Sequence, residues 1–199
     1  MPQVHPLSSI SSPHVCTDQR FCSSSSTHFT VWTKSLLFNG KGFTVFDSLG
    51  HLVFRVDNYA SNVRNEVILM DDAGQLLLRL RRKKWSFRKR WEAFRGYPLE
   101  SDKPKFSLKK SSGFSNNIKA GVFVDGSREI KKCVYQMEGS LCKASCTIFS
   151  ASGDIIAQIK RKEAKSDIML GNDVLSLVVE ARVDQAFVMG LLIMFNQMS

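Results

Sequence analysis

The sequence predicts a mainly β fold, an antiparallel barrel closed around one α-helix near the C-terminal end of the chain. Three observations predict it. A turn signature of Asp or Ser, two residues, then Gly recurs three times between apolar segments. The segments that follow each glycine alternate apolar and polar residues. One late segment is apolar with no polar face at all. With 199 residues, 43% of them hydrophobic, the chain can bury a sizeable core as a single domain.

The repeated hairpins occupy residues 46–56, 70–80 and 149–159. Asp47, Asp71 or Ser150 opens each turn by bonding its own backbone, and Gly50, Gly74 or Gly153 takes the positive-φ position. This is the chemistry of a short hairpin loop with a bulge. Counting from each glycine, Leu52, Phe54 and Val56, then Leu76, Leu78 and Leu80, then Ile155, Ala157 and Ile159 form the dry face. Arg55 and Asp57, Arg79 and Arg81, Gln158 and Lys160 form the wet face. A period of two with one wet and one dry face argues antiparallel strands. The glycines lie 24 and 79 residues apart, too irregular for a solenoid.

Further strands are predicted at 29–38, closing on Asn39-Gly40, and at 106–109, 122–125 and 132–137. Residues 96–104, with two prolines, read as a loop. No linker composition interrupts 29–197, so 29–199 is read as one barrel domain preceded by a Ser-rich, disordered tail, 1–28. That tail carries Asp18 and Arg20 as its only formal charges, and a transit peptide is the competing reading.

The last element is a helix over 185–198, with Asp184 as its N-cap and a length of about 21 Å. Residues 186–195 read Ala-Phe-Val-Met-Gly-Leu-Leu-Ile-Met-Phe. A helix apolar all round must be surrounded by lipid or by protein, and ten apolar residues are too few to cross a bilayer. A broad closed sheet needs such a filler, because side chains alone fill only narrow barrels. Gly190 and Leu191, with Phe187 and Met194, are therefore expected inside the barrel.

Several segments, in the same order, carry a family resemblance. They are Lys34-Ser35-Leu36-Leu37-Phe38-Asn39-Gly40-Lys41-Gly42-Phe43, Phe54-Arg55-Val56-Asp57-Asn58-Tyr59, Trp91-Glu92-Ala93-Phe94-Arg95-Gly96 and Val183-Asp184-Gln185-Ala186-Phe187-Val188-Met189. From Phe29 onward the chain resembles the plant LURP-one-related family. The resemblance implies the tubby C-terminal-like fold, a barrel of about twelve strands around a central hydrophobic helix. That fold is shared with phospholipid scramblases and with tubby proteins, which bind phosphoinositides and can be released as transcription regulators. Members of the plant family are associated with pathogen defence. The chain departs from the family in having Ala181-Arg182 where Pro-Gly usually precedes Val-Asp. None of the lipid-binding residues of tubby proteins is carried over to a position of this sequence.

Charge supplies the functional candidate. The formal net charge is +10, and residues 79–110 account for all of it, with 13 Lys/Arg against Glu92, Glu100 and Asp102. The rest of the chain holds 15 basic and 15 acidic residues. Arg79, Arg81, Arg82, Lys83, Lys84, Arg88, Lys89 and Arg90 form the candidate anion-binding set, with Trp85 and Phe87 as interfacial aromatics and Trp91 as a core residue. Cations beside aromatic rings suit a membrane interface, where ammonium and guanidinium groups meet anionic headgroups. The expected partners are anionic phospholipid or phosphoinositide headgroups. A protein-interaction scaffold in defence is the alternative, and nucleic acid ranks below both. A monomer is expected, cytoplasmic or peripheral to a membrane and with a nuclear role open.

Catalysis finds little support in the sequence. No GxSxG, HExxH, P-loop or GxGxxG motif occurs. The histidines are His5, His14, His28 and His51, and a Cys–His nucleophile pair would need His51 near Cys133, Cys142 or Cys146. Asp71-Asp72 reads as turn chemistry rather than a cation site. Five irregularly spaced cysteines, with no CxxC, read as reduced thiols. His14, Cys16, Cys22 and His28 match no structural zinc spacing. No cofactor and no metal are implied.

Overall fold

The computed structural model describes residues 18–32, 43–57, 66–83, 89–97, 103–111, 117–124, 133–140, 145–162 and 174–198. Among them, twelve antiparallel strands close into a barrel around one α-helix. The strands are β1 (Thr27–Trp32), β2 (Phe43–Phe46), β3 (Leu52–Asp57), β4 (Glu66–Asp71), β5 (Leu76–Arg82) and β6 (Arg90–Arg95). They continue as β7 (Phe106–Lys110), β8 (Ile118–Val124), β9 (Cys133–Ser140), β10 (Ser145–Ser150), β11 (Ile155–Arg161) and β12 (Val174–Val179). The helix is α1 (Gln185–Asn196). Each strand pairs with its sequence neighbours, and β12 closes the ring on β1. Closure leaves no open sheet edge for another chain to extend.

The three repeated hairpins join β2 to β3, β4 to β5 and β10 to β11. In each, the glycine N–H donates to the carbonyl of the turn-opening residue: Gly50 to Asp47, Gly74 to Asp71 and Gly153 to Ser150. Their φ values of 85°, 81° and 93° are open to glycine and strained for other residues. Asp47 Oδ1 accepts from the Leu49 and His51 N–H groups, Asp71 Oδ1 from Gln75 N–H, and Ser150 Oγ from Asp154 N–H. The register shifts by one residue at every one of these hairpins, which is the expected bulge.

The alternation past each glycine builds the core. Phe54, Leu69, Leu78, Leu80, Leu108 and Met137 point inward and are fully buried. The helix fills the space between them. Asp184 caps α1 by accepting the Phe187 N–H, and every residue from Gln185 to Phe195 is buried. Phe187 packs edge-on against Phe106 at 4.8 Å and meets Tyr135 at 5.4 Å. Gly190 presses on β5 and β7, where a Cβ would lie 2.8 Å from Leu78 Cδ1 and 3.2 Å from Phe106 Cζ.

Some boundaries differ from the sequence expectation. The strands expected at 122–125 and 132–137 extend to Ile118–Val124 and Cys133–Ser140. Two strands, β6 and β12, go beyond those the sequence predicts. In β6 the charges of Arg90, Glu92 and Arg95 obscure a short alternation in which Trp91 and Ala93 face the core, and Phe94 is buried as well. The Asn39-Gly40 turn lies outside the described residues.

The expected tail also divides. Residues 1–17 lie outside the described residues, while residues 18–28 are held on the barrel. The Asp18 N–H donates to Asp184 Oδ2 at 3.0 Å, Cys22 bridges to Asp184, and Phe21 packs on Phe54 at 5.0 Å. Buried partners at the helix entrance therefore order a segment whose Ser-rich composition reads as tail.

The antiparallel meander gives the barrel two distinct ends. One end holds the helix N-terminus, the bulged hairpins and this N-terminal segment. The other receives the helix C-terminus together with the ends of β5 and β6 that flank residues 84–88.

Candidate functional site

The basic segment begins on β5, whose sequence is Leu-Leu-Leu-Arg-Leu-Arg-Arg. Leu78 and Leu80 face the helix, so Arg79 and Arg81 face outward. Their fates differ. Arg79 is only 5% exposed. Its Nη1 sits 3.1 Å from Glu66 Oε1, and its Nε donates to the Gly96 carbonyl at 2.8 Å. The guanidinium also lies 5.6 Å from the Phe94 ring centroid. This corrects its assignment to the anion-binding set: Arg79 is a buried, neutralised strut holding β4, β5 and the turn after β6 together. Its burial breaks the expected wet face because Glu66, Gly96 and Phe94 converge on it.

Arg81 is exposed and stacks on the same Phe94 ring at 4.8 Å. Arg82 and Lys83 are exposed, Arg82 at the point where β5 outruns the packed interior. On β6, Arg90 Nη2 lies 3.3 Å from Glu92 Oε1 and donates to Ser107 Oγ at 3.1 Å. Lys83 Nζ approaches the same Glu92 oxygen at 3.4 Å. Two carboxylates thus stand among Arg81, Arg82, Lys83, Lys89 and Arg90: Glu92, and Glu66, which is opposite Arg81 on β4 and is engaged by Arg79. Lys84, Trp85, Phe87 and Arg88 lie outside the described residues.

Register extends the cationic surface beyond the residues singled out in the sequence. Arg90 pairs across to Lys109 on β7, and the Lys110 N–H donates to the Lys89 carbonyl. The side chains of Lys89 and Lys110 both donate to the Met198 carbonyl, at 3.4 and 3.3 Å. Two ammonium groups therefore meet the negative end of the α1 dipole where the helix emerges. Lys109 and Lys110 fall within the basic stretch by sequence, but only strand pairing brings them beside Lys89 and Arg90.

Chemistry of other kinds is not assembled among the described residues. The Cys146 thiol is pushed up to about 12 by burial and stays protonated at neutral pH. His51 bonds Asp47 in the β2–β3 turn, across the barrel from Cys133 at the start of β9. Cys22, Cys133 and Cys146 form no disulfide among the described residues, whereas Cys16, Cys142 and His14 lie outside them. No group of three or more His, Cys, Asp or Glu side chains gathers there to hold a metal, and no helix is long and apolar enough to cross a membrane.

Comparison with known proteins agrees with this architecture. A family model described as LURP-one-related matches residues 27–196. Protein LURP-one-related 5 of Arabidopsis thaliana is 41% identical over 185 residues, covering 90% of this chain and 87% of that protein. Protein LURP-one-related 8 of the same plant is 37% identical over 201 residues, covering 100% and 98%. An X-ray structure of an Arabidopsis thaliana protein superposes with a TM-score of 0.69 at 24% identity, covering 91% of this chain and 96% of that one. At that identity the likeness shows the fold alone.

Proposed function

The chain belongs to the LURP-one-related family, and on that premise we propose that it is a non-enzymatic module that binds an anionic membrane surface, phosphoinositide headgroups included. The observation that carries this reading is the segregation of charge. Among the described residues, Arg81, Arg82, Lys83, Lys89 and Arg90 share one end and one side of the barrel with two carboxylates, Glu92 and Glu66, and Glu66 is already engaged by Arg79. Near an anionic leaflet each such cation contributes about 1 kcal/mol, so a handful of them holds a soluble domain at the surface. A peripheral membrane location, with release to cytoplasm or nucleus and a role in defence, follows the family resemblance.

The test is sedimentation of the full chain with phosphatidylcholine vesicles, with and without phosphatidylserine, at low and high salt. The altered protein carries Arg82, Lys83, Lys84, Arg88 and Lys89 changed to Glu. It keeps Arg79 and Arg90, whose ion pairs belong to the fold. Wild type is expected to sediment with the anionic vesicles and to release as salt rises, with the variant weaker by at least about 100-fold. Tight binding to DNA or RNA with no binding to vesicles would overturn the reading in favour of nucleic acid. Undiminished vesicle binding by the folded variant would show the basic segment to be only a solvated face.

A further inference from the structure

We infer that the outer face of β12, β1 and β2 docks a short acidic and apolar segment of a partner protein. The inference does not rest on the membrane reading, because it uses other strands and other residues.

The strands β10, β11, β12, β1 and β2 follow one another around the ring and contain no Asp or Glu. Strand register lays out the middle of this surface. Trp32 stands between Val174 on β12 and Thr44 on β2, and Thr30 stands between Ser176 and Phe46. These neighbours are half-buried, whereas Trp32 is 50% exposed. The inward members of the same strands, Phe29, Val31, Val45, Leu175 and Leu177, already fill the core. The core therefore does not account for Trp32. An open tryptophan on an apolar surface marks a contact with another protein.

Charge chooses the occupant. Lys160 pairs with Ser176 from the β11 side, and the Lys162 N–H, just past that strand, donates to the Val174 carbonyl. The Lys162 side chain crosses β12, and its Nζ donates to Thr30 Oγ1 at 3.0 Å. That hydroxyl is neutral, and Lys162 forms no ion pair among the described residues. Thr30 and Trp32 share one face of β1, so an ammonium with N–H groups to spare stands near the open indole. A carboxylate beside an apolar side chain matches that pair, while a basic segment meets no acid there. The closed barrel offers no strand edge, so the segment docks on side chains and does not extend the sheet. A second copy of this chain would bring the same ammonium groups together with no acid to meet them. An anionic leaflet is better served by the β5–β6 side, where Arg81, Arg82, Lys83, Lys89 and Arg90 gather.

The test is binding of the full chain to short synthetic peptides in which Leu residues are flanked by Glu, with matched sets carrying Gln or Lys instead. The Glu peptides are expected to bind at least about tenfold tighter than the Gln peptides, and the Lys peptides not at all. Trp32→Ser and Lys162→Gln should each weaken the Glu peptides at least about tenfold. Both side chains are exposed, so melting should stay as in wild type. Lys162→Gln decides alone if Trp32→Ser melts early. Sedimentation with anionic vesicles should be the same for wild type and both variants. The proposal falls if no Glu peptide binds, if the Gln peptides bind equally well, or if either folded variant binds like wild type. Loss of vesicle sedimentation in the variants, with no peptide binding by wild type, would overturn it in favour of a membrane contact. A concentration-dependent dimer that Trp32→Ser dissolves would overturn it in favour of a second copy.

Discussion

Arg182 is the one non-glycine residue with positive φ among those described, at 63°. It stands in the turn from β12 to α1, where its N–H donates to the Ser23 carbonyl at 2.7 Å. The family resemblance leads one to expect glycine there, and a left-handed conformation costs an L-residue about 1–2 kcal/mol. Arg182→Gly removes that strain, partly offset by the greater freedom of the unfolded chain. A net gain of about 1 kcal/mol, seen as a rise of roughly 2–4 °C in Tm, is expected. A fall in Tm would show that the arginine side chain contributes more than its backbone costs.

A second residue-scale prediction concerns Asp47. The backbone N–H of His51, followed by that of Leu49, holds its carboxyl below the ordinary value of 3.8. A lowered folded pKa contributes stability above the unfolded value, lost as pH falls through the folded one. Asp47→Asn keeps an oxygen acceptor for the turn but removes the titration. Thermal melts between about pH 5 and about pH 2 should show a shallower acid-side loss for the variant. Identical slopes would place the acid sensitivity elsewhere.

At the scale of the element, α1 shows packing overriding propensity. Glycine in a helix interior costs about 1 kcal/mol relative to alanine, yet Gly190 sits at the middle of the most buried element of the fold. Its close approach to Leu78 and Phe106 accounts for it. Gly190→Leu should gain helix propensity and still lose about 2 kcal/mol or more through overpacking. Leu78→Ala alone should cost about 2–5 kcal/mol. The two together should cost clearly less than their sum, because each relieves the other. Additive losses in denaturant unfolding would mean that the helix can shift away from β5.

At the scale of the molecule, the barrel sorts charge by position. β11 lies six strands around the ring from β5, so Lys160, Arg161 and Lys162 share the end of the barrel that receives the helix C-terminus with the basic segment but occupy its far side. Changing these three to Glu should leave most of the anionic-vesicle binding in place, whereas changing the β5–β6 set should not. Equal loss in both variants would mean that the field of the whole protein, rather than one face, attracts the vesicle.

Much of this was legible in the sequence because it follows from local chemistry. The Asp/Ser-to-Gly spacing specifies bulged hairpins wherever it occurs, and the alternation after Gly50, Gly74 and Gly153 specifies which side faces the core. A segment such as 186–195, apolar on every side, has no stable place but an enclosed one. Tertiary structure alone decided which cations are free. Arg79 and Arg81 are two residues apart on the same face of one strand, yet Glu66 and Gly96 engage the first, while the second stays exposed over the Phe94 ring that both share. The meeting of Lys89 and Lys110 at the Met198 carbonyl was likewise invisible, since β6, β7 and the end of α1 become neighbours only in the closed barrel. Local rules act over a turn or a strand, but burial and charge compensation depend on which strands the barrel sets side by side.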